Sequence, residues 1–210
     1  MDLRATIETT GTCRFYLPDP IPEDVLRRVL DAARWAPTGG NRQGVRFVVV
    51  RDADKRRALR DLYVPLWEQY SSRAVAKPGA PLPKLLQNAD HMARHLDEVP
   101  VLIVVCAQTA DLMATDRHLD RVSVVAGASI YPSVQNLLLA ARAEGLGTAL
   151  TTLLCAVEPK VKELLAIPDG VATAALIPLG YPAKGFAKKL SRRPLEEIVF
   201  GDAYGAPLLT

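Results

Sequence analysis

Ala36-Pro37-Thr38-Gly39-Gly40-Asn41-Arg42-Gln43 separates the two clearest elements of the sequence, an amphipathic helix predicted over about 23–35 and a hydrophobic strand predicted over Val45–Val50. The helix has to end at the proline, because the proline ring cannot continue the backbone hydrogen bonds. The two adjacent glycines permit backbone angles closed to other residues. The threonine, asparagine and glutamine side chains donate and accept hydrogen bonds, which suits a flat heteroaromatic ligand. Taken alone, the stretch is by default a solvated glycine-rich turn, so other segments have to decide its role.

Composition bounds the possible functions. A chain of 210 residues fits one domain, 1–210, and 49% hydrophobic residues are enough for a sizeable core. The net charge of +3 is spread along the chain, which disfavours a nucleic-acid partner. No secretory signal and no membrane-spanning run is visible, so we expect a cytoplasmic protein without a membrane partner.

Cysteine and histidine spacings do not indicate a metal site or a disulfide framework. The three cysteines are far apart in the sequence. His91 and His95 are spaced to share a helix face, but two histidines without a third ligand or an intervening glutamate are better explained by packing or solvation.

Hydrophobic periodicity predicts alternating helices and strands over the rest of the chain. We predict further helices at about 2–10, 54–73, 84–96, 126–144 and 158–165, and further strands at 99–106, 146–154 and 171–180. This order predicts an α/β or α+β fold with a central sheet flanked by helices. The segment 63–98, with its Pro- and Gly-rich centre, is predicted to form a lid over a substrate pocket. The basic, proline-rich arm 181–210 is predicted to pack on a partner subunit.

Several common catalytic motifs are absent from the sequence. There is no Gly-x-Ser-x-Gly elbow and no Walker loop. Gly145-Leu146-Gly147 lacks the third glycine of a dinucleotide fingerprint and follows a helix instead of a strand. What remains is a site of backbone and neutral polar groups, which suits a cofactor that carries the reaction itself.

Four segments, taken together and in this order, resemble the FMN-dependent nitroreductase family. The first is the opening stretch, between a helix led by Pro-Ile-Pro-Glu and the strand Val-Arg-Phe-Val-Val-Val. The others are Ser133–Ala141 followed by Glu144–Thr148, then Ile177–Pro182, then Ser191–Val199. The resemblance covers nearly the whole chain.

The resemblance implies an α+β fold, an α/β sandwich whose central, mostly antiparallel sheet is flanked by helices. It also implies an intertwined homodimer with FMN bound at the dimer interface. The implied reaction is ping-pong: NADH or NADPH gives hydride to flavin N5, and a nitroaromatic, quinone or similar planar acceptor is then reduced. No dedicated catalytic acid or base is expected. Alternatives are a specialised oxidase or dehalogenase, a protein that sequesters FMN, and a catalytically silent dimer.

The resemblance also assigns cofactor-binding residues. The isoalloxazine and ribityl groups are expected to contact Pro37, Thr38, Gly39 and Asn41, supported by Gln43. Backbone donors near flavin N5 and O4 are expected at Thr151, Thr152 and Leu153. The phosphate is expected to bind Arg192, with Arg193 and Lys189 adding positive charge.

The sequence departs from the family in two places. The N-terminal phosphate clamp, usually Arg-Arg-Ser, one residue and a basic residue, is here Thr9, Thr10, Gly11, Thr12 and Cys13, with Arg14 beside it. Hydroxyl and backbone N–H donors remain, but neutral hydrogen bonds are weaker than charge-assisted ones. The usual Pro-Trp after Gln43 is replaced by Gly44-Val45, so we expect a looser loop.

Overall fold

The computed structural model of the chain describes residues 2–74, 81–188 and 190–208. Its centre is a four-stranded sheet in the order β1-β2-β4-β3, in which every neighbouring pair is antiparallel. The strands are β1 Val45–Val50, β2 Val101–Gln108, β3 Gly147–Thr148 and β4 Val171–Gly180.

Helices cover both faces of this sheet. They are α1 Leu3–Thr9, α2 Glu23–Arg34, α3 Ala53–Ser72, α4 Lys84–Arg94, α5 Tyr131–Ala143 and α6 Glu158–Leu165. In β2, Ile103 and Val105 pack with α2 and α5, whereas the alternate residues Leu102 and Val104 pack with α3, α4 and α6. Successive side chains of a strand point to opposite faces, so a strand covered on both sides has to be apolar throughout.

The α+β class and most of the predicted elements are confirmed. The strand β1 and the helix α6 have the predicted bounds, and the other helices outside 126–144 end within two residues of the predicted ones. The strand predicted at 99–106 begins two residues later and runs two residues further, so Pro100 lies just before it.

The strand predicted at 146–154 is wrong beyond Thr148. Residues 147–148 pair as a strand, Thr151 forms one isolated bridge with Leu176, and Leu153–Val157 is a 3-10 helix. The reason lies in the partner strand. The carbonyl of Pro178 accepts from the Ala149 N–H at 3.4 Å, so this edge of Pro178 faces the segment. Proline has no N–H, so it cannot donate the hydrogen bond that would continue the ladder here.

The helix predicted at 126–144 is also too long, because it begins at Tyr131. Pro132 is the second residue of α5, and proline is tolerated in the first turn of a helix but not in its interior. The preceding loop is organised by the buried Asp116, which accepts from Ser123 Oγ at 2.6 Å and from the Val124 N–H at 2.9 Å.

The predicted lid segment contains the second half of α3 and all of α4, while its residues 75–80 lie outside the described part of the chain. The base of the segment is cross-linked by hydrogen bonds. Asp90 accepts from Trp67 Nε1 at 2.8 Å and from Arg94 Nε at 3.0 Å. Among the described residues, no helix is both long enough and apolar enough to cross a membrane.

Candidate functional site

The loop before β1 has a strained backbone. Gly40, Asn41 and Gln43 have φ values of 58°, 53° and 53°. The left-handed region is open to glycine but unfavourable for residues with a Cβ atom. Two of the three residues are therefore held there by their surroundings. Such strain concentrates at ligand-binding sites, so it is a reason to look for a function here.

Side chains from inside and outside the loop hold this conformation. The Gln43 N–H donates to Thr38 Oγ1 at 3.0 Å, and Gln43 Nε2 donates to Asn41 Oδ1 at 3.1 Å. The Gly39 N–H donates to the hydroxyl of Ser129 at 3.0 Å. The loop is thus tied to the segment that leads into α5.

Arg46 anchors the other end of the loop. Its guanidinium donates to the carbonyls of Gln43 and Val45 at 2.7 and 2.8 Å and to Gln108 Oε1 at 2.8 Å. Gly44 lies so close to Asp111 that an added Cβ would come within 2.7 Å of the Asp111 Cβ. The loop predicted to be loose is therefore well anchored without the aromatic residue. Sequence reasoning missed Ser129 and Arg46, although a charge inside an apolar strand was a signal for Arg46.

The hydroxyl protons of the predicted N-terminal clamp are already used inside α1. Thr9 Oγ1 donates to the Ala5 carbonyl at 2.7 Å, and Thr10 Oγ1 donates to the Thr6 carbonyl at 2.6 Å. A hydroxyl has a single proton to donate, so these two groups can no longer donate to a phosphate. The prediction that this stretch binds the phosphate therefore depends, in this conformation, on the backbone N–H of Thr12 and not on the two hydroxyls.

The rest of the clamp is packed and uncharged. A Cβ on Gly11 would lie 3.1 Å from Leu190 Cδ2. The Cys13 N–H donates to the Thr148 carbonyl at 2.7 Å, and its side chain lies against Gly147. Burial raises the pKa of the Cys13 thiol above its usual range, so the side chain is neutral near pH 7.

Arg14 lies against α4, with its Nη1 3.4 Å from Met92 Sδ.

The next residue, Phe15, belongs to a column of stacked groups formed by Lys184, Phe15, His91 and His95. Lys184 Nζ is 3.1 Å from the centroid of the Phe15 ring, which stacks on His91 at 4.4 Å. His91 in turn contacts His95 at 4.3 Å. The predicted shared face of the two histidines is confirmed, and it serves packing between α4 and the N-terminal segment.

Thr151, Thr152 and Leu153 lie where β3 would have continued. The Thr151 hydroxyl is 3.0 Å from the hydroxyl of Tyr63, a buried residue of α3, and it accepts from the Leu153 N–H at 3.4 Å. The Thr151 N–H donates to Leu176. Thr152 is exposed, and no partner for its N–H lies in the described part of the chain. Of the three expected backbone donors, Thr152 is the one available to a ligand.

Arg192 and Arg193 are exposed, and Arg192 donates to the neighbouring Ser191 carbonyl at 2.7 Å. Within residues 2–74, 81–188 and 190–208, no hydrogen bond or ion pair joins 191–208 to the rest of the molecule. Lys189 lies outside the described residues.

The predicted site residues fall at two corners of the sheet. The loop precedes Val45, which pairs with Ala107 at one end of β2 on the β1 edge. Cys13 joins Thr148, which pairs with Leu179 and is therefore level with Val101 at the other end, on the β3 edge. From strand geometry the two corners are about 20 Å apart along the strands and about 14 Å apart across them. One protomer does not bring the loop and the N-terminal stretch together.

Comparison with known proteins gives one family. The model of the Nitroreductase family matches residues 7–181. Iodotyrosine deiodinase 1 of Rattus norvegicus is 31% identical over 189 residues, which are 89% of this chain and 64% of that protein. This chain thus spans less than two thirds of the deiodinase. NADH dehydrogenase of Thermus thermophilus is 29% identical, with 95% of each chain covered.

Solved structures share the fold. The crystal structure of oxidized iodotyrosine deiodinase bound to FMN and 3-iodo-L-tyrosine has a TM-score of 0.76 at 21% identity, covering 97% of this chain and 100% of that one. A nitroreductase family protein from Clostridium difficile has a TM-score of 0.66 at 22% identity, covering 97% and 99%.

The backbone strain at Gln43 predicts an unusual order of stabilities. We expect Gln43→Gly to be more stable than Gln43→Ala by about 1 kcal/mol, because glycine adopts a positive φ without a steric penalty. At Gln135, an exposed position of α5, the order reverses, since glycine costs about 1 kcal/mol relative to alanine in a helix. Urea unfolding of the four variants measures both differences. If the glycine variant were less stable than the alanine variant at both positions, the backbone at Gln43 would be unstrained.

Protonation of His91 is expected to weaken the folded state. Burial, followed by the neighbouring His95, lowers the His91 pKa below its usual 6.5. A lowered pKa favours the neutral ring in the folded state, so this stabilisation is present above pH 6.5 and is lost as the pH falls through the folded pKa.

His91→Phe keeps an aromatic ring in the column without a titrating group. Its free energy of unfolding, from urea titrations at pH 7.5 and 5.0, should fall less on acidification than that of the wild type. His118→Phe, at an exposed histidine, should behave like the wild type. A His91→Phe variant as acid-sensitive as the wild type would contradict the assignment.

Proposed function

The chain belongs to the nitroreductase family, and on that premise we propose that it is an FMN-dependent oxidoreductase that uses NADH or NADPH to reduce nitroaromatic, quinone or similar planar acceptors. The observation that most supports this function is the loop Thr38–Gln43. It is one of the four segments that carry the family resemblance, and it is held in a strained conformation by hydrogen bonds with Ser129, Thr38 and Arg46.

The residues at the ring end of the proposed site fit a flavin. The loop offers the Asn41 and Gln43 amides, and the N–H of Thr152 is exposed without a partner in the described part of the chain. A backbone donor stabilises negative charge that develops on a nearby acceptor atom. FMN, when bound, supplies hydride and electron transfer, so the protein has to bind, orient and shield its substrates without its own acid or base.

A second copy of the chain would complete this site. The loop and the N-terminal stretch lie at opposite corners of one protomer, whereas both are expected at one FMN. A homodimer satisfies this when each site takes its loop from one copy and its N-terminal stretch from the other.

Exposed apolar side chains support the same arrangement. They lie on α1, at Leu3 and Ile7, and in the arm 181–210, at Leu195, Ile198, Tyr204 and Leu208. A partner subunit would remove these apolar side chains from water. We therefore propose that the arm packs on the partner subunit, which accounts for the lack of bonds between 191–208 and the body in the described part of the protomer.

Reductive dehalogenation is the second candidate. It is favoured by the 31% identity with iodotyrosine deiodinase 1 of Rattus norvegicus. The reaction replaces a carbon–halogen bond by carbon–hydrogen and consumes two electrons and one proton, with release of halide. The same cofactor and the same loop would serve both reactions, so the acceptor decides between them.

Purified protein is expected to quench the fluorescence of added FMN and to acquire the absorbance of bound flavin. Under anaerobic conditions NADH or NADPH should bleach the bound flavin, and menadione or nitrofurazone should restore its colour. Turnover of 3-iodo-L-tyrosine with release of iodide, without turnover of the other two, would favour the dehalogenase. Protein that neither quenches FMN nor becomes yellow would refute both activities.

Two variants with lesions in different halves of the site test its composition. Gly39→Phe obstructs the loop, where a Cβ meets its nearest neighbour, Ser129 Oγ, at an ordinary 3.6 Å. Thr12→Glu, at an exposed residue, places a carboxylate at the phosphate end. Each homodimer should fail to bind FMN, whereas co-expressed mixed dimers should bind one FMN per dimer, because one of their two sites contains neither lesion. If each site lay within one protomer, the mixed dimers would bind none.

A further inference from the structure

The phosphate end of the proposed site lacks the charges that the family supplies there. Positions 9–13 contain no cation, and Arg14 lies against α4. Another cation lies beside this stretch. It is Arg142, in the last turn of α5, and the site residues assigned from the family do not include it.

Arg142 reaches the N-terminal stretch through the start of the arm. Its Cζ lies 3.8 Å from the centroid of the Phe186 ring. Phe186 belongs to a segment that runs back along 11–16: the Ala183 N–H donates to the Phe15 carbonyl at 3.0 Å, and a Cβ on Gly11 would lie 3.6 Å from Ala187 Cβ. The guanidinium is thereby placed beside the predicted clamp.

The charge of Arg142 has no counter-ion in the described part of the molecule. Its Nε is buried without a hydrogen-bond partner, and the side chain forms no ion pair there. The nearby carboxylate of Glu144 is occupied by Arg28, which donates to both of its oxygens at 2.9 and 2.8 Å.

Two structural effects explain the position of Arg142 but not its missing counter-ion. A cation is favourable near the carboxyl end of a helix, and a guanidinium stacks well on an aromatic face. Neither effect supplies hydrogen-bond acceptors to the guanidinium. A partly buried cation with unused donors is unfavourable unless an anion binds it. Stacking on Phe186 also fixes the plane of the guanidinium, which prepares it for an anion that accepts two parallel hydrogen bonds.

We propose that Arg142 binds the phosphate group of FMN and replaces the missing N-terminal arginines with a charge from α5. This inference rests on the proposed function, because it presumes that FMN is the ligand. The backbone N–H of Thr12, which has no partner in the described part of the chain, and Arg192 of the arm remain as further phosphate contacts.

Titration with FMN and with riboflavin separates phosphate binding from ring binding, since riboflavin has the same ring and ribityl chain without the phosphate. Arg142→Gln should weaken FMN binding about tenfold or more, as expected for loss of a charge-assisted hydrogen bond, and leave riboflavin affinity unchanged. Arg142→Lys should retain part of the FMN affinity. Arg28→Gln is the matched control: it removes a nearby arginine that already has carboxylate partners, and it should bind FMN like the wild type.

Ionic strength gives a readout that a purely structural role would not change. The dependence of FMN affinity on salt should be weaker in Arg142→Gln than in the wild type, because one fewer cation contacts the phosphate. Equal FMN affinities of Arg142→Gln and Arg28→Gln would overturn the inference. An equal loss of FMN and riboflavin binding in Arg142→Gln would also overturn it, because the contact between Arg142 and Phe186 would then be purely structural. Those outcomes leave the proposed function standing, whereas a wild type that binds neither flavin refutes it as well.

Discussion

The burial of β2 on both faces is the constraint on which the rest of this structure depends. Residues 101–107 have no exposed side, so each neighbour has to pair with β2 in a register that directs apolar residues into both helical layers. That register puts Val45 level with Ala107 and Thr148 level with Val101. The loop before β1 and the segment next to β3 are consequently held at opposite corners. Strand pairing therefore separates the two halves of the proposed site within one chain, and only the proposed second copy would bring them to one FMN.

Local signals were sufficient for most of the fold. The apolar runs of β1 and β2 and the helical stripe of α2 depend on residues close in sequence, and these elements were predicted correctly. The error at 146–154 was of a different kind. That segment has strand composition, but its ladder is interrupted by Pro178 of the partner strand, which lies far away in the sequence. The error at 126–144 was avoidable, because Pro132 marks the start of the helix locally.

The candidate site, like the fold, could be predicted only in part from the sequence. The loop Thr38–Gln43 could be found from its composition and from the resemblance, yet its anchors Ser129 and Arg46 depend on tertiary contacts. A sequence motif names the residues that face a ligand, whereas the residues that hold them in place come from wherever the fold brings a side chain near. The hydrogen bond between the hydroxyls of Tyr63 and Thr151 is a third example, since 88 positions separate the two residues.

The replacement of arginines by threonines in α1 changes more than the charge. An arginine side chain extends away from its helix, whereas a threonine hydroxyl lies close to the backbone and bonds the carbonyl four residues earlier, as Thr9 and Thr10 do. The hydroxyl groups at the end of α1 therefore donate within the helix and are not available to an anion. Positive charge near this corner is found instead on Lys184 at the start of the arm and on Arg142 of α5. Because the arm is also the segment proposed to pack on the partner, phosphate binding and dimer assembly would depend on the same residues. A flavin with a phosphate would then be held tightly only once the arm is docked, whereas the strained loop is in place in the single chain.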